Sequence, residues 1–257
     1  MKRIVFLIFS FILWTNVIGN AQTNVVVMDD NTPYGMQSYF YSGSGNGLQQ
    51  NEIKKYWNDG YCITSAAHGA SGWFITVSQG SKFTNQEYIY QDSWPDDWIQ
   101  QKRREGKYIT SIASSDSKWL VVVSANSGYT SQEICAAPWS SLKEFITKWY
   151  NNDYYITSIA CRKGLWTVVM SKTNLYNNQA YFWVTSTSKL KEKINEKWNA
   201  NFAITALEYD GGEYFCIMSK YNDSKERLQF WSVGTYGIGR DIKKYWDKSY
   251  RITYVGG

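Results

Sequence analysis

Short apolar runs recur along the chain, and each of them ends in serine. They read GWFITVS from Gly72, WLVVVS from Trp119, LWTVVMS from Leu165 and EYFCIMS from Glu213. Runs of this length that are apolar at nearly every position are typical of strands covered on both faces. The pattern predicts a buried strand at each of these four places.

Each run has further elements on both sides. A strand pattern with Ile-Thr-Ser or a close variant precedes it, and another follows after a turn, as in QEYIY, QEICA, QAYFW and LQFWS. Before them comes a short amphipathic segment such as Ile53 to Trp57, whose spacing puts Ile and Trp on one helical face. The second segment keeps Ile99 but has Arg103 in place of Trp. We expect one short helix and three strands in each unit.

The Thr of the Ile-Thr element recurs at intervals of 46, 47, 48 and 48 residues. Its five positions are Thr64, Thr110, Thr157, Thr205 and Thr253. Self-similarity at such a period indicates repeats of supersecondary size. The units span about 51–95, 96–141, 142–189 and 190–237, with a split unit made of 238–257 plus 24–43. We expect them to form a single repeat domain over 22–257.

The split unit suggests how the chain is closed. The segment from Val25 to Gly43 matches the second and third strands of a unit, and we expect it to form a hairpin that pairs with Tyr250 to Val255. A C-terminal half-unit and an N-terminal half-unit complement each other in a ring. The predicted fold is mainly β with short helices, a five-bladed β-propeller-like closed toroid whose last blade is completed by N-terminal strands. An open β-solenoid or paired β-sandwiches are the alternatives.

The first residues have the layout of a signal peptide, predicted over 1–21. Lys2 and Arg3 precede an apolar run from Ile4 to Trp14, and Gly19 and Ala21 form a small-x-small cleavage signal. The apolar run is shorter than the roughly 20 residues that span a bilayer, and no lipobox cysteine follows it. We therefore expect a secreted or periplasmic protein without stable membrane insertion.

The composition supplies residues for a packed core and argues against a nucleic acid as partner. Aromatic residues make up 18% of the chain, which is ample material for a packed core. The net charge of +5 is spread over scattered Lys and Arg, whereas a nucleic-acid surface needs a basic face. The four cysteines lie at different places in the repeat, and we expect them to be mostly buried free thiols: Cys62, Cys135, Cys161 and Cys216.

The turn after the second strand carries an aromatic-x-x-Gln motif, which supplies the candidate ligand-binding residues. The pairs are Tyr34 with Gln37, Phe83 with Gln86, Tyr129 with Gln132, and Tyr176 with Gln179. The fourth unit departs from the motif, with Ser224 and Arg227. These groups either satisfy backbone hydrogen bonds or form repeated pockets in which aromatic faces and amides bind a glycan.

Catalytic motifs are missing from the sequence, so we expect no enzyme activity, no catalytic residue, no metal and no cofactor. The predicted function is an exported binding or scaffold module, with a glycan or the surface of another exported protein as its ligand. A polysaccharide or peptidoglycan hydrolase is the alternative, because sugar hydrolysis needs only two carboxylates. Its candidates are Asp59, Asp92, Asp96 and Asp97, and the single histidine, His68, is a less favoured general base.

The segments GYCITS, YYITSIA, VVMSK, NTPYGMQSY and SGYTSQE carry a family resemblance. Together they resemble the repeat region that follows the kinase domain in plant casein kinase 1-like proteins. The likeness covers essentially the whole chain after residue 21, and the kinase motifs themselves are not present. The resemblance implies a repeat module and no phosphotransfer activity.

Overall fold

The structure is a computed structural model that describes residues 23–43, 45–223, 225–234 and 238–257. Within these residues the chain forms fifteen strands and five helices. The strands are β1 (Asn24–Asp29), β2 (Gln37–Tyr41), β3 (Cys62–Gly69), β4 (Gly72–Ser78), β5 (Thr84–Gln91), β6 (Tyr108–Ser114), β7 (Trp119–Ala125), β8 (Tyr129–Ala137), β9 (Tyr154–Arg162), β10 (Leu165–Thr173), β11 (Tyr176–Val184), β12 (Ala203–Asp210), β13 (Glu213–Tyr221), β14 (Gln229–Gly234) and β15 (Arg251–Gly256). The helices are α1 (Gln50–Asn58), α2 (Asp96–Arg104), α3 (Trp139–Tyr150), α4 (Thr187–Asn199) and α5 (Ile238–Trp246).

The fifteen described strands form five antiparallel sheets of three strands each, and none of these sheets closes into a barrel. Their strand orders are β14-β1-β15, β2-β4-β3, β5-β7-β6, β8-β10-β9 and β11-β13-β12. The predicted class, mainly β with short helices, is confirmed. The apolar runs are the central strands, and they are buried over almost their whole length as predicted.

The predicted hairpin at Val25 to Gly43 is wrong. β1 pairs with β14 and β15, whereas β2 pairs with β4 in the next sheet. The connection crosses between sheets: Asp30 N–H donates to Leu228 O beside β14, while Gly35 N–H donates to Gln79 O beside β4. The third strand of each sequence unit therefore belongs to the sheet of the following unit. The predicted pairing of the first strand with residues 250–255 is confirmed.

Each helix buries an isoleucine and is followed, two or three residues after its end, by a residue with positive φ. Ile53 in α1 and Ile242 in α5 are fully buried, as the amphipathic pattern predicts. The residues that follow the five helices in left-handed conformation are Gly60, Gly106, Asp153, Asn201 and Ser249. Such residues commonly end helices because they release the chain from the α conformation. The Gly, Asp, Asn and Ser residues after the Ile and Trp pattern therefore mark the ends of the helices.

The sheets contact one another through the strands that carry the Thr repeat. β3 contacts β6, β6 contacts β9, β9 contacts β12, β12 contacts β15, and β15 contacts β3. Serine side chains connect several of these pairs: Ala66 N–H donates to Ser111 Oγ at 3.1 Å, and Ile112 N–H donates to Ser158 Oγ at 3.0 Å. The three-stranded sheets are thereby joined by directed hydrogen bonds as well as by apolar packing.

The four cysteines are free thiols, as predicted, although only Cys216 is fully buried. The described part of the chain has no helix that is long and apolar enough to cross a membrane. The predicted signal peptide, 1–21, lies outside the described residues.

Candidate functional site

The repeated Thr lies at a β-bulge in every sheet. In β3 the pairing with β4 passes from Ile63 to Ser65, so that Thr64 opposes no residue, and the same irregularity occurs at the equivalent Thr of β6, β9, β12 and β15. A bulge redirects a side chain away from the regular alternation of a strand. It turns the five Thr side chains toward one shared cavity, whose lining includes all of them.

Four of these threonines are paired with the Ser that ends the central strand. The Oγ1 to Oγ distances are 2.9 Å for Thr64 and Ser78, 3.1 Å for Thr110 and Ser124, 2.6 Å for Thr157 and Ser171, and 2.9 Å for Thr205 and Ser219. In the fifth sheet Asp29 takes the place of the serine. Polar pairs of this kind satisfy groups that the bulge would otherwise leave without partners in a buried region.

The motif glutamines connect each sheet to its neighbour. Gln86 on β5 accepts from Ile63 N–H at 2.6 Å and donates to Ile63 O at 2.9 Å, so its amide acts like a peptide group beside β3. Its Nε2 also donates to Ser124 Oγ at 3.0 Å within its own sheet. Equivalent bonds are made by Gln37, Gln132 and Gln179.

These amides have little capacity left for a ligand. In α1, Trp57 Nε1 also donates to Gln86 Oε1 at 3.1 Å, and Trp246 of α5 does the same to Gln37. The amides of Gln86 and Gln37 thus accept two hydrogen bonds and donate two, which saturates them. The four glutamines do not line the shared cavity, whereas the four aromatic candidates do. In the predicted motif, the glutamines therefore connect the sheets, and the aromatic residues line the cavity.

A fifth glutamine, Gln229, was missed by sequence reasoning. Its Oε1 accepts from Ile204 N–H at 2.6 Å and from Trp198 Nε1 at 3.2 Å, and its Nε2 donates to Ile204 O at 3.0 Å. The proposed departure at Arg227 is therefore wrong as an alignment: the turn after β13 is longer, with ten residues from Ser219 to Gln229 against eight in the other turns. Aligning the units on their third strand would have found it, because Gln229 is the first residue of β14. Ser224 lies outside the described residues.

The shared cavity has a volume of about 470 Å³. Turns of successive sheets supply its aromatic wall, and the five bulged threonines lie on its lining. Its aromatic residues from these turns are Tyr34, Phe83, Tyr129, Tyr176 and Tyr221. Tyr221, at the end of β13, was not predicted; its ring lies 5.1 Å from that of Tyr176. The structure brings the candidate aromatics together in one place.

Burial keeps the cavity tyrosines neutral. It raises the pKa of Tyr34 to about 12, and it also raises the pKa values of Tyr129 and Tyr176 well above the ordinary value. A phenol of this kind donates and accepts hydrogen bonds at every physiological pH. The cavity therefore offers aromatic faces and neutral hydroxyl groups.

One side of the cavity carries charge. Burial raises the pKa of Asp29 to about 7, although Asn31 N–H and the Arg227 guanidinium, 3.8 Å away, act in the opposite direction. Arg227 also forms two hydrogen bonds with the Asp223 carboxylate, at 2.9 and 2.6 Å, which lower the pKa of Asp223 to about 2. The guanidinium lies 3.6 Å from the centre of the Tyr221 ring. This network breaks the fivefold similarity of the cavity wall.

The acidic residues proposed for hydrolysis are not gathered in this cavity. Asp92 pairs with Lys118, and Asp96 accepts from Gln100 on the surface of α2. His68 is partly buried, which lowers the pKa of its imidazole, and it lies outside the cavity lining. Among the described residues no three His, Cys, Asp or Glu side chains are placed to hold a metal ion.

Repeated three-stranded sheets around a polar and aromatic cavity define a β-rich repeat domain. A family model matches the chain twice, over residues 11–137 and 136–257, and the two matches together cover nearly all of it. The chain belongs to this family, a domain of unknown function designated DUF7477. No curated protein matches the sequence.

Proposed function

We propose that this protein is an exported, non-catalytic binding module that holds a saccharide in the shared cavity. The observation that carries the proposal is the cavity itself: about 470 Å³, with aromatic rings from successive turns and five threonines on one lining. This volume falls in the range of about 300 to 1,000 Å³ that small-molecule sites occupy.

The lining has the chemistry that a sugar requires. Aromatic faces such as Phe83 and Tyr129 offer apolar contact to the C–H faces of a pyranose ring. The Thr hydroxyls offer acceptors to sugar hydroxyls, because the neighbouring Ser Oγ accepts from a Gln amide and can give its own hydrogen to Thr. The glutamines hold the sheets in place and are the scaffold of the site.

We further propose that the five sheets are arranged as the blades of a closed, propeller-like toroid around this cavity. The supporting observations are the contacts of each Thr-bearing strand with the next and the position of β1 between β14 and β15. Residues from all five sheets on one cavity lining agree with a central site of this kind.

Glycan binding by the chain without residues 1–21 tests the function. A glycan array identifies a ligand, and titration calorimetry then compares the protein with Phe83→Ala and Tyr129→Ala. We expect each variant to weaken binding by about tenfold or more, because aromatic stacking on a sugar is lost. Tyr150→Ala, which changes a partly exposed aromatic residue on α3 outside the cavity, is the matched control.

Two results would contradict the proposal. One is the lack of any glycan ligand, which favours the other predicted class of ligand, the surface of another exported protein. The second is a glycan that binds both cavity variants as tightly as the unmodified protein, since that ligand would occupy a different surface.

A hydrolase is the second candidate, because two carboxylates of different pKa, Asp29 and Asp223, line the cavity. Paired carboxyls with separated pKa values are the arrangement that glycosidases use. Binding is favoured because Asp29 is 1% exposed and Asp223 accepts hydrogen bonds from both Nη1 and Nη2 of Arg227. Release of reducing sugar from an array-identified glycan, lost in Asp29→Asn, would establish the hydrolase instead.

We also propose that the protein is exported and that it is related to the repeat region of plant casein kinase 1-like proteins. The charged and apolar pattern of residues 1–21 supports export. It is tested by N-terminal sequencing of the protein from the culture medium, where a start at Gln22 is expected. The resemblance to the repeat region of plant casein kinase 1-like proteins rests on the motifs alone.

A further inference from the structure

A second pocket adjoins the cavity on its charged side. It has a volume of about 500 Å³, and it shares Tyr221, Lys225 and Arg227 with the lining of the cavity. We call it the side pocket. The two spaces are therefore neighbours, with these three side chains on the lining of both.

The side pocket is basic. Lys220, Lys225 and Arg227 line it together with the amides of Asn177 and Asn201, and Glu226 is the one carboxylate among its described lining residues. Neither lysine forms an ion pair with a described carboxylate. The ammonium groups of Lys220 and Lys225 are thus available to a ligand, whereas Arg227 is already paired with Asp223.

The arrangement of these groups suits an oxyanion. Arg227 is held against the Tyr221 ring at 3.6 Å and by Asp223, so its position is fixed before a ligand arrives. Lys220 Nζ lies 4.9 Å from the ring centre of the buried Phe202, which places its ammonium at the pocket wall. Ammonium and amide N–H groups that converge on one space form charge-assisted hydrogen bonds with carboxylate, sulfate or phosphate oxygens.

The side pocket arises from the turn that is unlike the other four. The ten-residue interval from Ser219 to Gln229 contains Lys225, Glu226 and Arg227, and four of the five repeat turns are two residues shorter. Lengthening one turn of a repeat protein leaves the fold intact and adds chemistry at one position of the ring, as functional loops commonly do.

We propose that the side pocket binds the oxyanion of an acidic saccharide, a carboxylate, sulfate or phosphate group carried by the sugar. The inference rests on the proposed function in one respect, that the ligand is a saccharide. Sugar and charge then occupy neighbouring spaces, with the neutral ring against the cavity aromatics and the anionic group against Lys220, Lys225 and Arg227.

The experiment uses three probes: methyl β-glucoside, methyl β-glucuronide and sodium sulfate. Each is titrated into isotope-labelled protein while NMR follows two sets of signals, the side-chain amides of Asn177 and Asn201 and the rings of Phe83 and Tyr129. We expect the glucuronide to shift the amide signals and to bind about tenfold more tightly than the glucoside, because one charge-assisted contact contributes about that factor. Raised ionic strength should reduce this preference.

The double variant Lys220→Gln, Lys225→Gln should remove the preference for the glucuronide. The control is Lys243→Gln, Lys244→Gln, which changes the net charge equally on exposed positions of α5 and should retain it. A preference retained in the first variant would overturn the inference. Comparable binding of sulfate and glucuronide would also overturn it, since the pocket would then recognise free oxyanions.

Different NMR signals test the two proposals, so that their failures can be told apart. If no saccharide shifts the Phe83 and Tyr129 signals, the cavity is not a sugar site and the proposed function is wrong. If the glucuronide leaves the Asn177 and Asn201 amides unchanged, the side pocket is not its binding site and the inference is wrong.

Discussion

The main-chain N–H of Val255 donates a hydrogen bond of 2.9 Å to Ser65 Oγ and so joins the strand nearest the C-terminus to β3. It is the same bond that Ala66 makes to Ser111 and that Ile112 makes to Ser158. The contact between β15 and β3 is therefore built like the contacts between consecutive repeats.

Ser65→Ala should destabilise the protein by about 1 to 3 kcal/mol, because the buried Val255 N–H then has no acceptor. Urea unfolding measures the change in the free energy of unfolding. Ser188→Ala, at an exposed position of α4, should leave it nearly unchanged. Equal stability of the two variants would show that the bond contributes nothing to joining β15 and β3.

Gln132→Ala should cost at least about 2 kcal/mol, since it leaves both the N–H and the C=O of Ile109 without their partners in a buried region. Thermal unfolding would detect a clear drop in the midpoint. Gln100→Ala, on the exposed face of α2, is the control for loss of an amide. Any glycan affinity should survive in Gln132→Ala at temperatures where the variant is folded, and its selective loss would place Gln132 in the binding site.

Arg103→Trp should stabilise the protein by about 1 kcal/mol. Trp57 and Trp246 donate to the Oε1 atoms of Gln86 and Gln37, but Arg103 holds the equivalent place, and its Nε and Nη2 are buried with no hydrogen-bond partner among the described residues. Removing two buried nitrogen atoms that lack a hydrogen bond and restoring the indole donor act in the same direction. Calorimetric unfolding measures the gain, and Arg104→Trp, at the exposed neighbouring position, should show none.

Glu208 should make stability fall as the pH rises. Burial raises its pKa to about 8 from 4.5, against the opposing effect of hydrogen bonds from Tyr254 and Gly257. The folded state therefore keeps a proton that the unfolded chain releases, and the free energy of unfolding decreases between about pH 5 and about pH 8, by an amount on the order of a few kcal/mol.

Glu208→Gln should flatten this dependence, and urea unfolding across the pH range measures it. Asp29, with a pKa of about 7, adds a dependence of the same sign that ends at a lower pH and that remains in the variant. Glu192→Gln, at an exposed position of α4, should keep the full slope. A slope in Glu208→Gln equal to that of the unmodified protein would contradict the assignment.

The sequence contained most of the secondary structure, because burial on both faces leaves a clear apolar run and the helices have a clear Ile and Trp spacing. The sequence did not show that β1 and β2 belong to different sheets, because their residues have the pattern of a hairpin whether they pair together or not. Only the contacts of Asp30 and Gly35 with different sheets show that the chain crosses over.

The candidate site was predicted in part. The aromatic positions of the motif do meet in the cavity, because equivalent turns of a repeat point toward the same place. The amides do not, because whether Gln86 bonds to a ligand or to Ile63 depends on the distance between two sheets, which no local pattern encodes. Gln229 escaped notice for a simpler reason: two additional residues shift it out of the spacing of the other four.

The glutamine amides also have a consequence for association with other chains. Each one covers the outward peptide group of a Thr-bearing strand, as Gln86 does at Ile63 and Gln229 at Ile204. An incoming β-strand needs those same N–H and C=O groups to extend a sheet. At five places the repeated glutamine therefore occupies a peptide group that an added strand would need, in a protein rich in β-branched and aromatic residues.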